Sequence, residues 1–389
     1  MPKNILNNHV FSVFDIDYTL KRYPDKHNQE LRAWDAADIY LLNTLSPLLS
    51  EISNLCIIND NFGALTVPLA ALNPLCYGDS WMSRKAIEIN CKSNQILTPL
   101  TFDENLDTLT HNHQPPDCVI GRIPKSTSQL IYILKTLNTW LNDNTLLMFA
   151  GMDKHLSRGQ YDQLEKYFGP SNYLPGVKKS RIWQARCNKK LIVSIPEYTK
   201  VIIPEHTLTL TSHPNVFSRN KLDIGSRFFL NNLSRIPIRD QVADMACGNG
   251  VLGLAYLRKH PNTHMVFCDE SFQAVESTEL NLRYNAPQAT AHVYADDGLK
   301  QIEQGSLDLV LCNPPFHQQH TVSTDIAYSL FKDAYRALRV GGELWIVANR
   351  HLGYHIILKK IFGHCTTEVG HQKFCILRSL KSSSKSSIH

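Results

Sequence analysis

The sequence predicts an α/β protein of two tandem domains, each a parallel sheet covered by helices on both faces. Three observations lead there. From about residue 240, short apolar runs alternate with helical patterns. Each run ends in glycines, acids or an Asn-Pro-Pro turn. The first half repeats this order of elements in altered form.

In the second half, Val242 to Ala246 reads as a strand, followed by the turn Cys247-Gly248-Asn249-Gly250 and a helix from Val251 to His260. His264 to Cys268 is the next strand, ending at Asp269-Glu270, with a helix from Ala274 to Tyr284. Ala291 to Ala295 ends at Asp296-Asp297, and Leu307 to Cys312 ends at Asn313-Pro314-Pro315-Phe316. A helix from about Ala327 to Leu338, a turn at Gly341-Gly342 and a strand from Glu343 to Ala348 complete the pattern. In such sheets ligands bind outside the carboxyl ends of the strands. Every polar feature named here lies at such an end.

Each feature has a chemical use. Gly248 and Gly250 let the backbone bend tightly and approach a ligand. Asp269 stands where an acid meets ribose hydroxyls in nucleotide-binding units, though alone it would read as a helix N-cap. Asp296 or Asp297 could accept a bond from an adenine amine, or simply form a cap or turn. After Asn313, two prolines forbid a continued ladder or an ordinary helix. The rigid turn offers an amide oxygen, free carbonyls and the face of Phe316, which suits a planar group bearing an NH2.

The composition allows this reading. With 43% hydrophobic and 19% charged residues in 389, the chain can bury two cores. No apolar stretch is long enough for a membrane span, and no signal peptide is evident, so a cytoplasmic protein is expected. Ten scattered cysteines without a C-x-x-C pair suggest neither a metal site nor disulfides. The net charge of +5 permits a polyanionic partner without requiring one. Lys178, Lys179, Arg181, Arg186, Lys189 and Lys190 surround Trp183 with no acid among them. That reads as a solvated linker, or as a phosphate-tracking surface with an aromatic for stacking. Lys373, Arg378, Lys381 and Lys385 form a basic end, and residues 381–389 read as a disordered tail.

The ordered set of glycine turn, acid, acid and Asn-Pro-Pro-Phe resembles class I S-adenosylmethionine-dependent methyltransferases. Asn215-Val216-Phe217-Ser218-Arg219, Leu222 to Phe229 and Cys312 to His317 are similar to bacterial ribosomal RNA guanine-N2 methyltransferases. Ile346 to Leu352 and Leu358 to Gly363 look like the large-subunit branch of that family more than the small-subunit branch. The resemblance implies two tandem Rossmann-like domains and S-adenosyl-L-methionine as methyl donor. It implies methylation of a guanine N2 in 23S ribosomal RNA, with 16S RNA as the alternative. Asn313, Pro314, Pro315 and Phe316 would be catalytic. Asp244, Ala246, Gly248, Gly250, Asp269, Glu270, Asp296, Asp297 and Asn313 would hold the cofactor. Arg219, Asp223 and Arg227 would lie near the site. No metal is expected, and a monomer is. One departure stands out: Ala246 occupies the first glycine of the family's D-x-G-x-G-x-G motif. A β-region backbone, expected for the last residue of a strand, would make the change cheap.

The first half reads as a decayed copy. Leu55 to Ile58 precedes Asn59-Asp60-Asn61-Phe62-Gly63, with Gly63 matching Gly250. Leu75 to Ser80 resembles Val266 to Ser271. Asp79 precedes Asp117 by 38 residues, and Asp269 precedes Asp308 by 39. The Asn-Pro-Pro-Phe position reads Arg122-Ile123-Pro124-Lys125, and Trp34 to Asp38 belongs to the same resemblance. The expected domains are residues 1–195, degenerate and suited to RNA or to packing alone, and 196–380, catalytic, with a linker near 186–210.

Methyl transfer needs mostly positioning. The Asn313 oxygen and the Pro314 carbonyl could accept both N2 hydrogens, and Phe316 could stack on an unstacked base. His317 and His320 are candidate bases, more simply read as polar loop residues. Two other classes compete: a protein glutamine-N5 methyltransferase, against which Phe316 in place of Tyr argues, and an inactive RNA-binding assembly factor, suggested by Ala246.

Overall fold

The computed structural model describes residues 8–24, 31–191, 193–194, 198–315 and 320–383, with backbone alone for 320–324. The chain divides into two compact units, Met1–Glu197 and Tyr198–His389.

The first unit opens with the hairpin β1 (Val10–Val13) and β2 (Ile16–Thr19), then α1 (Ala36–Leu45). There follow β3 (Leu55–Ile58), β4 (Leu75–Tyr77), α2 (Trp81–Ser93), β5 (Thr101–Asp103), α3 (Leu106–Asn112), β6 (Cys118–Arg122) and α4 (Thr127–Trp140). It closes with β7 (Leu146–Met152), α5 (Arg158–Phe168), β8 (Asn172–Tyr173) and β9 (Ser180–Arg186). The sheet order is β5-β4-β3-β6-β7-β9-β8.

The second unit opens with the hairpin β10 (Thr199–Ile203) and β11 (Leu208–Ser212), then α6 (Ile224–Leu230). There follow β12 (Gln241–Met245), α7 (Val251–Lys259), β13 (His264–Asp269), α8 (Phe272–Asn285), β14 (Ala291–Ala295) and β15 (Leu307–Cys312). It closes with α9 (His320–Ala337), β16 (Leu338–Asn349), α10 (Tyr354–Phe362), β17 (Thr366–Gly370) and β18 (Phe374–Leu380). The sheet order, β14-β13-β12-β15-β16-β18-β17, repeats that of the first unit strand for strand.

The sheets are mixed rather than wholly parallel. β18 runs antiparallel to β16 and β17, because α10 returns the chain to β17 in the sense of β16 and the short turn after β17 then permits only a hairpin. The expected turn at Gly341-Gly342 is a bulge inside β16. Leu307 faces Leu338 and Leu309 faces Glu343, and Gly341 adopts φ +82. All six residues of β15 are buried, as a central parallel strand requires.

The duplication extends to single hydrogen bonds. Asp117 accepts from the Ser53 and Asn54 amides, and Asp308 from those of Asp240 and Gln241. This confirms the match of Gly63 to Gly250. It also decides between two offsets, the one in the match of Leu75–Ser80 to Val266–Ser271 and the one in the spacing from Asp79. Ser80 and Ser271 cap α2 and α8, so Gly78, not Asp79, stands opposite Asp269. Each of these precedes its buried aspartate by 39 residues. The first copy therefore lacks that acid.

A feature not foreseen from the sequence holds each hairpin. Gln273, Ser277, Asn281 and Asn285 recur every fourth residue of α8 and are all buried. Asn281 exchanges two bonds with the Thr211 backbone, and Asn285 two with Thr209. Ser277 and Gln273 accept from the amides of His213 and Asn215. The helix thus acts as the pairing partner for the open edge of β11. Asn90 of α2 and its C-cap Asn94 do the same for Lys21 and Thr19. A polar stripe at helical spacing, buried rather than exposed, is the signal that could have revealed it.

Among the described residues no helix is long and apolar enough to cross a membrane, and no group of His, Cys, Asp and Glu could hold a metal. All ten thiols are free.

Candidate functional site

The site is assembled at the carboxyl ends of β12, β13, β14 and β15. β12 ends at Met245, one residue earlier than expected, and Ala246 lies in the left-handed region at φ +58. The expected β conformation is overturned. The chain leaves the strand through a sharp turn, and Asn59 of the first copy takes the same φ of +58. Asparagine tolerates this region and alanine does not, at about 1–2 kcal/mol. Gly248 and Gly250 follow at φ +58 and +79. A Cβ on Gly250 would lie 2.9 Å from Thr278 Cγ2, so helix packing requires this glycine. A Cβ on Gly248 would meet nothing within 4 Å, so the backbone there borders open space.

The acids brace this turn. Asp244 is buried, accepts the Gly253 N–H at 2.8 Å, and is pushed up to about 8, chiefly by burial and further by Asp269. Asp269 accepts the Gly248 N–H at 2.9 Å and the Ser271 N–H at 3.0 Å, and burial raises its pKa. Asp296 accepts from the amides of Asp297 and Gln301, and burial raises it too. Asp297 pairs with Lys300. Glu270 is exposed beside them. Open space over Gly248, with carboxylates on the two following strand ends, fits a nucleoside-bearing ligand whose hydroxyls and amine need acceptors.

The Asn-Pro-Pro turn closes the other side. Pro314 is buried and Pro315 exposed. The Asn313 NH2 donates to Asp223 Oδ2 at 3.2 Å and to Ser226 Oγ at 3.0 Å. Asp223 is the N-cap of α6, and the same Oδ2 accepts the Ser226 N–H at 2.9 Å. An ionised carboxylate only accepts, so the amide must present its NH2 there and turn its Oδ1 away. Arg227 is exposed on the same helix, and Arg219 is half-buried ahead of it. Sequence reasoning named Asp223 but missed Ser226. Phe316 and His317 lie outside the described residues, as does the side chain of His320.

Two expected RNA contacts are corrected. Trp183 is buried in β9, packed tilted against Phe149 and edge-on against Phe168, and can meet no base. The basic residues around it flank a sheet strand, not a linker. Lys189 holds the carbonyls of Asn138 and Thr139, Arg186 that of Asn144, and Arg181 pairs with Asp153. Arg122 is enclosed by Asp35 and Asp38, so it offers no phosphate contact. At the basic end, Arg378 pairs with Glu343 and Glu368, and Lys381 with the Leu338 carbonyl.

A glycine turn, acids on the next two strand ends and an Asn-Pro-Pro turn, on a sheet of this order, make the second unit an S-adenosylmethionine-dependent methyltransferase. Residues 207–378 match the methyltransferase small domain, and residues 8–189 match the RLMG N-terminal domain. The chain belongs to the family of ribosomal RNA large subunit methyltransferase G and is an rRNA methyltransferase. The relative from Yersinia enterocolitica is 38% identical over 95% of this chain and 94% of its own. That from Yersinia pseudotuberculosis is 38% identical over 95% and 93%. Among solved structures, the T. thermophilus 16S rRNA N2 G1207 methyltransferase RsmC, in complex with AdoMet and guanosine, matches with TM-score 0.75. It is 19% identical and covers 96% of this chain and 97% of its own.

Proposed function

We propose that this enzyme transfers a methyl group to the exocyclic N2 of a guanine in 23S ribosomal RNA, giving N2-methylguanosine. The observation that carries this reading is the amide of Asn313, anchored through its NH2 so that its oxygen is left to accept. An amine whose lone pair is delocalised into a purine needs such a grip. Large-subunit RNA is supported by the names of the relatives. A guanine N2 is supported by the name of the T. thermophilus enzyme.

When bound, S-adenosylmethionine supplies a methyl group already activated on a sulfonium. Asp269 and Glu270 would meet its ribose, Asp296 or Asp297 its adenine amine, and the Ala246-Gly248-Gly250 turn its amino-acid end, with Asp244 bracing that turn. Asn313 Oδ1 and the Pro314 carbonyl would accept the two N2 hydrogens and stabilise the charge that develops on nitrogen. Pro315 keeps the turn rigid, and Phe316 is the expected stacking face, contributing ~1–3 kcal/mol. The acidic product amine loses its proton to water, so no strong base is needed. The first unit would contact RNA or serve packing alone. The enzyme acts as a monomer in the cytoplasm.

The test incubates the protein and labelled cofactor with protein-free 23S and 16S RNA from cells lacking it. N2-methylguanosine in the 23S digest is expected. Label confined to 16S RNA, or to a protein, would overturn the reading.

A further inference from the structure

We infer that Asp223 and Ser226 form a positioning clamp, which sets the rotation of the Asn313 amide and thereby the rate of methyl transfer. The inference rests on the role proposed above for Asn313. Left alone, an asparagine side chain rotates about its terminal bond with a broad preference, and its two ends differ little in size. Only its partners can decide which end faces the substrate. Asp223 is such a partner: it lies 90 residues earlier, its carboxylate accepts and cannot donate, and its position is set by capping α6. Ser226, at the third position of that helix, supplies the second acceptor. Gly225 lies between them, and a Cβ there would come within 2.9 Å of Asp223 Oδ2 and 3.7 Å of Asn313 Oδ1. A glycine at this point lets the clamp and the amide approach.

The first unit offers an internal control. Asp35 caps α1, Asp38 is its third residue, and both hold Arg122 at the end of β6. In both units the side chain at the end of the fourth parallel strand is thus gripped by the N-cap and first turn of the helix that leads into the first strand of the sheet. Where that side chain is an amide the grip becomes an orienting device, and where it is a guanidinium it becomes an ion pair.

The variant Asp223→Ser separates capping from clamping. Serine caps as well as aspartate, but its oxygen stands one atom closer to the backbone than the Oδ2 that now serves both Ser226 and Asn313, and a hydroxyl, which donates as well as accepts, no longer dictates which end of the amide faces it. The expected outcome is an unfolding midpoint close to wild type, cofactor affinity within threefold by calorimetry, and a single-turnover transfer rate lower by about 10- to 100-fold, the scale of a small misplacement at a reacting centre. Wild-type transfer in a folded variant would overturn the clamp. So would a rate loss accompanied by an equal loss of cofactor affinity. Should Asp223→Ser fail to fold, Ser226→Ala removes one acceptor alone, and the expected fall is severalfold under the same readouts. If wild-type enzyme methylates a different nucleoside or a protein, the guanine reading fails. The variants' rates on that product still decide the clamp.

Discussion

Asn313 and Arg122 stand at equivalent ends of the fourth parallel strand in the two copies, and each reaches back to the N-cap and third residue of the helix that leads into the first strand of its sheet. Asn313 donates to Asp223 and Ser226, and Arg122 to Asp35 and Asp38. The same backbone geometry therefore supports an amide held through its NH2 in one unit and an ion cluster in the other.

Asn313→Ala is expected to abolish transfer, a loss beyond about 10³-fold, since it removes an acceptor aimed at developing charge. Cofactor affinity should stay within a few-fold. Near-wild-type transfer in a radiolabel assay would remove the amide from the mechanism.

Ala246→Gly is expected to stabilise the second unit by about 1 kcal/mol. Glycine relieves the left-handed strain and gives back part of that gain in unfolded-chain entropy. Chemical denaturation measures this, and a lower midpoint would show that the alanine methyl makes a compensating contact.

Asp244 makes stability fall with rising pH. Its folded pKa, raised by burial to about 8, lies above the unfolded value near 3.9. Between the two the folded state holds the extra proton, so stability declines as pH rises from about 4 to 8 and levels above. In cofactor-free protein, Asp244→Asn keeps an acceptor for Gly253 and removes this slope. Its advantage over wild type should widen from pH 5 to pH 8, and a gap independent of pH would refute the assignment.

Arg122→Ala should destabilise the first unit by about 3 kcal/mol, because it leaves the buried Asp38 without its cation. Urea unfolding followed on the first unit's tryptophans checks this. A change below about 1 kcal/mol would mean that water replaces the guanidinium.

Much of the fold is written in local pattern. The strands around Asp269, Asp296 and Asn313 could be placed because apolar runs, glycines and prolines constrain only a few neighbouring residues at a time. The duplication was legible for the same reason, as two copies of one local pattern, though the offset at Gly78 and Asp79 needed the helix caps to settle it.

The sequence by itself determined the order of elements, the glycine turn and the rigidity of the Asn-Pro-Pro turn, since these follow from backbone restrictions within a few residues. Only the tertiary structure decided what the polar side chains do. It buried Trp183 between two phenylalanines, enclosed Arg122 between two aspartates, and set Ala246 at positive φ. It also brought Asp223 across 90 residues to turn the amide of Asn313. A charge or an amide finds its partner through the packing of distant elements, and that packing is a property of the folded chain rather than of any short stretch of it.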